Sequence, residues 1–192
     1  KEGLICLSGC LASEIPRLIM AEEFDKAKDQ IDWFKQTFGP ENYCLELHNH
    51  GIPEQMQVNR QLIPWAKDFG LNLVATNDVH YVEKGHSHAH DSLICIGTQA
   101  LLNDTNRMRY VQEQFYLRSA EEMAALFSEV PDAISNTMAI AEKCDLEIEF
   151  GKLNYPVFDP PSGFTREGYL RKFLAEGLKL RYGIHATVEG GA

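Results

Sequence analysis

The sequence has 192 residues, is 44% hydrophobic, and carries 28 acidic against 18 basic side chains for a formal charge of −10. That is enough apolar content to bury a real core. No apolar run nears the ~18 residues of a membrane span, the N-terminus lacks a signal-peptide pattern, and no stretch gathers Lys and Arg into a phosphate-tracking stripe.

These features point to a globular, cytoplasmic chain that is no electrostatic clamp for nucleic acid. A phosphodiester-cleaving site stays compatible with the acidic balance, because carboxylates and imidazoles around bound cations present a locally positive centre. The five cysteines (6, 10, 44, 95 and 144) are odd in number and form no C-x-x-C pair. A disulfide framework is not expected, and each thiol has a bland reading as a small buried hydrophobe.

In chain order, LICLS (residues 4–8) is a short apolar run whose length favours a strand. Gly9 follows, allowing a tight turn, and Cys10 stands at the C-terminal end of that strand. As a thiolate Cys10 suits a borderline-soft cation such as zinc and suits magnesium poorly; as a core thiol it does nothing chemical.

Phe24, Ala27, Ile31, Phe34 and Phe38 recur at steps of 3 and 4, which predicts an amphipathic helix ended by Gly39-Pro40. YCLEL (43–47) is a second strand, closed by His48-Asn49-His50. An H-x-H pair can place two imidazoles on one metal, yet His50 can equally end the strand and His48 can be solvated. A helix is expected after Ile52-Pro53, kinked or broken at Pro64, with Gly70 as its C-cap.

LNLVAT (71–76) is a third strand, and Asp78 and His80 stand directly at its end. In parallel α/β folds the strand C-termini face the functional rim. Alternation along extended backbone turns positions 78 and 80 to one side, so a carboxylate and an imidazole converge on one cation. The competing reading has Asp78 as a turn cap and His80 as an ordinary loop histidine. His86, His88 and His90 read as solvated, with His90 pairing locally with Asp91.

QFYLRSAEEMAALF reads as packing, and Ser119 with Glu122 has capping-box spacing. Pro131 suits the first turn of a helix with Ile134, Thr137, Met138 and Ala141 inward. Residues 154–164, NYPVFDPPSGF, hold three prolines and a glycine and read as a domain boundary. Beyond it Leu170, Phe173, Leu174, Gly177 and Leu178 predict an amphipathic helix with little to pack against. A first residue other than Met and a terminal helix with no fold after it are expected of a piece of something larger. Strand, helix, strand in alternation is the rhythm of a parallel α/β sheet.

Six ordered blocks, LICLSGCLASEIPRLI, LELHNHGIPEQ, LVATNDVHYV, AHDSLICIGT, FYLRSAEEM and PDAISNTMAIAEKC, resemble the C-family replicative DNA polymerases, the family of the bacterial DNA polymerase III alpha subunit. The resemblance implies that residues 1–153 are the C-terminal portion of a PHP (polymerase and histidinol phosphatase) domain. The fold class is then α/β, an incomplete, distorted TIM-like (β/α)7 barrel. It further implies a linker at 154–164 and the helical start of a polymerase core at 165–192.

In family members with an intact site, the barrel rim binds divalent metals and removes 3′ nucleotides from DNA. The motifs S-G-C and N-D-x-H carry the family's metal ligands onto Cys10, Asp78 and His80, with zinc or manganese favoured over magnesium. No catalytic residue is assigned within the chain, since the polymerase aspartates and their magnesium would lie outside it. His48 departs from the family pattern and is not assigned.

The partners implied are DNA primer-template, dNTPs, a sliding clamp and a separate proofreading subunit, with no membrane. The chain alone is expected to be inactive. A non-catalytic PHP scaffold is the alternative, and a free-standing small-molecule phosphoesterase is disfavoured by the linker and the helix after it.

Overall fold

Three short strands, β1 (Cys6–Leu7), β2 (Tyr43–Leu47) and β3 (Asn72–Ala75), form a parallel sheet in the order β1-β2-β3. The computed structural model describes residues 2–110 and 113–187, and these divide into two compact units, 1–145 and 146–192. The α/β class read from the sequence is therefore observed in the first unit. β2 lies between the other two and is buried almost throughout, which is why YCLEL is a continuous apolar run.

β1 is shorter than the expected 4–8. It pairs with β2 on one side, and Leu4 at its start is 57% exposed. Pairing continues past its end through the Ser8 amide, which donates to the Cys44 carbonyl at 3.0 Å. Because all three strands run the same way, their C-terminal ends, Ser8 to Cys10, His48, and Thr76 to Asp78, emerge at one edge.

Between β1 and β2 run α1 (Glu14–Met20) and α2 (Phe24–Phe38), and between β2 and β3 runs α3 (Pro53–Phe69). The α2 stripe falls as the periodicity predicts: Ala27 and Ile31 are fully buried, with Phe24, Phe34 and Phe38 packed beside them. Together with Ile15, Ile19, Leu45, Leu47 and Leu62 they make one core.

α3 does not break at Pro64. That residue faces solvent, so water can serve the carbonyl one turn back that loses its donor, while Leu62, Trp65 and Ala66 around it are buried and hold the helix in place. Gly70 caps α3 in the left-handed conformation at φ 63°, and the Leu71 amide returns to the Ala66 carbonyl at 2.8 Å.

After β3 come α4 (Ser87–Thr98), α5 (Ala120–Leu126) and α6 (Asp132–Lys143). Ser119 and Glu122 make the expected reciprocal capping box at the start of α5. α6 lies on β3 with a face that matches the expected one only in part: Ile134 packs against the core and Thr137 is half-buried, while Ala141 is exposed. Ala133 is buried and Asn136 donates to the Leu73 carbonyl at 2.8 Å, whereas Met138 is 63% exposed. The small Ala133 and polar Asn136 lie nearest the sheet, and a stripe chosen by hydrophobicity alone misses them.

The second unit contains α7 (Arg166–Tyr182), capped by Thr165, whose hydroxyl accepts from the Gly168 amide at 3.1 Å. Phe158, Phe164 and Phe173 gather around the Tyr169 ring. Leu170, Phe173 and Leu174 are each more than half exposed. The part of the expected helical segment at 188–192 lies outside the described residues. Among the described residues no helix is long and apolar enough to cross a membrane, and all five cysteines are free thiols.

The core generates two stability expectations, both read by chemical denaturation. Leu45→Ala removes a fully buried side chain from the central strand and is expected to lower stability by about 2–5 kcal/mol. Tyr43 is fully buried, and among the described residues its hydroxyl finds no hydrogen-bond partner. Tyr43→Phe should therefore raise stability by about 1 kcal/mol, the low end of an unsatisfied polar group's desolvation cost; a loss of stability would mean that the hydroxyl is satisfied.

Candidate metal-binding rim

The edge where the strands end is organised by one carboxylate. Glu46 on β2 is only 12% exposed at its side chain. Its Oε2 accepts from the Gly9 amide at 3.1 Å, and its Oε1 accepts from the Thr76 hydroxyl at 2.5 Å and pairs with His48 Nε2 at 3.1 Å. The Glu46 amide in turn donates to the Ser8 hydroxyl at 2.8 Å. Burial by itself would push the carboxyl up; hydrogen bonds from His48 and Thr76, the His48 charge and the Gly9 amide outweigh it and hold the group below the usual carboxylate range.

Gly9, at φ 84°, is required on two counts. Its backbone conformation disfavours any side chain, and an added Cβ would collide with the Ser13 hydroxyl. The next residue, Cys10, is partly exposed and shares a shallow recess with Glu46 and His48.

At the β3 end the backbone enters the left-handed region at Asp78, φ 42°, a conformation that aspartate tolerates better than most residues. His80 Nδ1 donates to the Asp78 carbonyl at 2.7 Å and lies 3.9 Å from the Asp78 carboxylate. The proton is thus on Nδ1, and Nε2 accepts from the Tyr110 hydroxyl at 2.9 Å. The His80 amide donates to the Phe115 carbonyl at 2.8 Å, which fixes the backbone beneath the ring.

Burial raises the Tyr110 phenol, and negative charge on Asp78 and Cys10 raises it further. Asp78 and His80 are therefore in contact, whereas Cys10 lies with Glu46 and His48 at the recess by the β1 end. Among the described residues, no group of three or more His, Cys, Asp or Glu side chains is drawn close enough to hold a metal ion.

The H-x-H pair divides between two other tasks. His48 is buried against Glu46, and the Asn59 side chain donates to its carbonyl at 2.9 Å. His50 is fully buried: Nε2 donates to the Asn77 carbonyl at 2.9 Å, Nδ1 accepts from Gln55 Nε2 at 2.8 Å, and the ring stacks on Phe115 at 4.1 Å. Both nitrogens are occupied, so His50 is a structural clamp, and burial pulls its pKa down.

Two further residues, Arg118 and Tyr110, were not singled out in the sequence, and His90 was given a different partner. Arg118, inside the stretch read as packing, donates from one guanidinium nitrogen to the Asn49 carbonyl and the Asn77 side chain, both at 2.9 Å. It thereby ties the β2 and β3 ends to residues 114–118. His90 does not pair with Asp91, which is held by two hydrogen bonds of 2.6 Å from Arg107. Instead its ring lies 5.2 Å from His80 and 5.3 Å from Tyr110. Tyr110 itself carried no sequence signal beyond a lone aromatic between arginine and valine. Beside this group opens a cavity of about 410 Å³ lined by Tyr81, His88, His90, Arg109, Tyr110 and Glu113 among others.

The Glu46 cluster sets a pH expectation. A carboxyl depressed in the folded state contributes stability that is present above its unfolded value of about 4.3 and is lost as pH falls through the lower folded value. Glu46→Gln is expected to be about 1–3 kcal/mol less stable at neutral pH, since donors lose a charged acceptor, and to show a shallower loss between pH 5 and 3. Parallel acid-unfolding curves for the two proteins would refute this.

Residues 1–50 match the PHP domain family. Over 184 residues the chain is 45% identical to DNA polymerase III subunit alpha of Borreliella burgdorferi, covering 95% of this chain and 16% of that protein. It is 39% identical to the same subunit of Treponema pallidum over an equal share of both chains. To that of Thermus aquaticus it is 40% identical, over 94% of this chain and 15% of the relative. The chain spans about one sixth of the length of these relatives, and nearly the whole of it is similar to that part of DNA polymerase III subunit alpha.

Proposed function

We propose that this chain is part of the catalytic alpha subunit of a bacterial replicative DNA polymerase and carries one side of a metal-dependent 3′-5′ exonuclease site. Residues 1–153 are read as the C-terminal portion of a PHP domain, 154–164 as a linker and 165–192 as the start of the polymerase core. The parallel sheet is read as an arc of a distorted (β/α)7 barrel, whose strand ends form the working rim. The whole protein would act in the cytoplasm on primer-template DNA and dNTPs, with magnesium at a polymerase site elsewhere. It would contact a sliding clamp and other replisome subunits.

The observation that carries the exonuclease reading is the state of His80. Its Nδ1 bonds to the Asp78 carbonyl, as the outer nitrogen of a metal-binding histidine does, and Nε2, here bonded to the Tyr110 hydroxyl, would be the ligating atom. A thiolate at Cys10, a carboxylate at Asp78 and an imidazole at His80 suit zinc or manganese better than magnesium. When bound, such cations would supply Lewis acidity to the scissile phosphate and acidify an attacking water.

The chain's own part is positioning. Glu46 fixes the turn that carries Cys10 and the strand end that leads to Asp78. The Asp78 carbonyl fixes the His80 ring. Arg109 and His88, lining the adjacent cavity, offer donors to a phosphate.

A second reading, a PHP scaffold that supports the polymerase and holds a separate proofreading exonuclease, is favoured by one observation: among the described residues no three ligand-type side chains are gathered. Substitutions in the full-length subunit separate the two. Asp78→Ala and His80→Ala should each lower metal affinity by more than about 100-fold, beyond the loss typical of an outer partner, and should abolish 3′ nucleotide removal while polymerisation persists. Unchanged metal content and nuclease activity would favour the scaffold. The 192-residue chain by itself should show no robust exonuclease activity.

A further inference from the structure

The cavity of about 410 Å³ beside His80 is within the size range of small-ligand pockets. Two kinds of group line it. Arg109 and His88 are exposed, and among the described residues neither side chain has a hydrogen bond or an ion pair. The neighbouring Arg107 is instead 4% exposed at its side chain and spent on Asp91 through two bonds of 2.6 Å, so the Asp91 carboxylate at the cavity wall is already neutralised. The second kind is aromatic: the His90 ring lies 5.3 Å from both Tyr81 and Tyr110, which makes the three rings contiguous.

Both phenols are engaged within the protein, Tyr81 accepting from the Phe115 amide at 3.3 Å and Tyr110 bonded to His80 at 2.9 Å, so these rings offer a ligand flat apolar surface. We propose that the cavity takes a single unstacked nucleotide, its phosphate on Arg109 and His88 and its base against the wall of Tyr81, His90 and Tyr110, which rests on the exonuclease reading only in counting a strand end among that nucleotide's sources. A bare phosphate would use the two free donors and leave the rings idle, and an apolar ligand would strand the Arg109 charge. A nucleotide uses both, since guanidinium groups pair with phosphate and every base has a face to stack. Glu113, also at the wall, is an acceptor for base or sugar donors.

Such a nucleotide has two sources, a free deoxynucleoside monophosphate and the terminal residue of a single strand. The test photo-cross-links the full-length subunit in EDTA to a probe of each kind, 5-iododeoxyuridine monophosphate and a single-stranded oligonucleotide ending in 5-iododeoxyuridine at its 3′ side, and maps the adducts by peptide mass spectrometry. Adducts on Tyr81, His90 or Tyr110 are expected, and the probe that gives them identifies the source. Arg109→Ala is expected to raise the concentration for half-maximal labelling about 10- to 150-fold, the worth of a hydrogen bond to a charged group. Arg109 is exposed and unbonded among the described residues, so its loss does not endanger the fold. Arg60→Ala, an exposed site on α3 away from the cavity, should leave labelling unchanged.

Adducts confined to other residues with both probes overturn the proposal. So do cavity adducts that Arg109→Ala leaves at the same half-maximal concentration, or that Arg60→Ala weakens equally. Neither probe needs a metal or is hydrolysed in EDTA, so the exonuclease reading stands or falls separately, on the Asp78→Ala and His80→Ala variants.

Discussion

A single, largely buried carboxylate ties the strand ends together. Parallel strands that stop at one edge leave amides and hydroxyls there with no further ladder to join, and each must be satisfied in place. Glu46 does this for its neighbours on both sides, accepting from the Gly9 amide beyond β1 and the Thr76 hydroxyl beyond β3 while it holds His48 on its own strand. Its charge is what makes these bonds strong enough to offset burial. The residues that follow, Cys10 on one side and Asp78 on the other, inherit their positions from it.

Around this centre the polar residues fall into two groups by burial. His48, His50, Gln55, Asn59 and Asn77 are buried, and the bonds they make are spent on holding loops together. The closest thing to a fourth strand is the segment 114–118, bridged to Tyr81 and braced by Arg118. Asp78, His80 and Tyr110 lie further out, with Asp78 42% and His80 25% exposed at the side chain. The His50 and His80 rings each have both nitrogens bonded, His80 to the Asp78 carbonyl and the Tyr110 hydroxyl, but only that of His80 is partly open to solvent.

Much of the frame was legible because its signals are local. The α2 stripe, the Gly70 cap, the Ser119 box and the β2 run each depend on residues within a few positions of one another. Helix continuity through Pro64 was not legible, since it depends on which side of α3 meets the core. The inward face of α6 was read only in part for a related reason: Ile134 packs against the core as expected, but a small residue and an amide, not Met138, complete that face. At the rim, S-G-C and N-D-x-H marked the ends of β1 and β3. Glu46 looked like the one polar position in an apolar strand, His90 looked solvated, and Tyr110 gave no signal. Their roles arise from contacts between residues far apart in the chain, such as Glu46 with Gly9 and Tyr110 with His80. Nothing in the spacing of a single sequence records such pairs.

Anomalous diffraction from crystals of the full-length subunit, collected with zinc or manganese bound, addresses the central claim most directly. The account predicts a metal peak at bonding distance from His80 Nε2 and Asp78, shared with Cys10, and Glu46 still bridging Gly9 and Thr76. A peak elsewhere, or these three side chains turned away from a common ion, would contradict it.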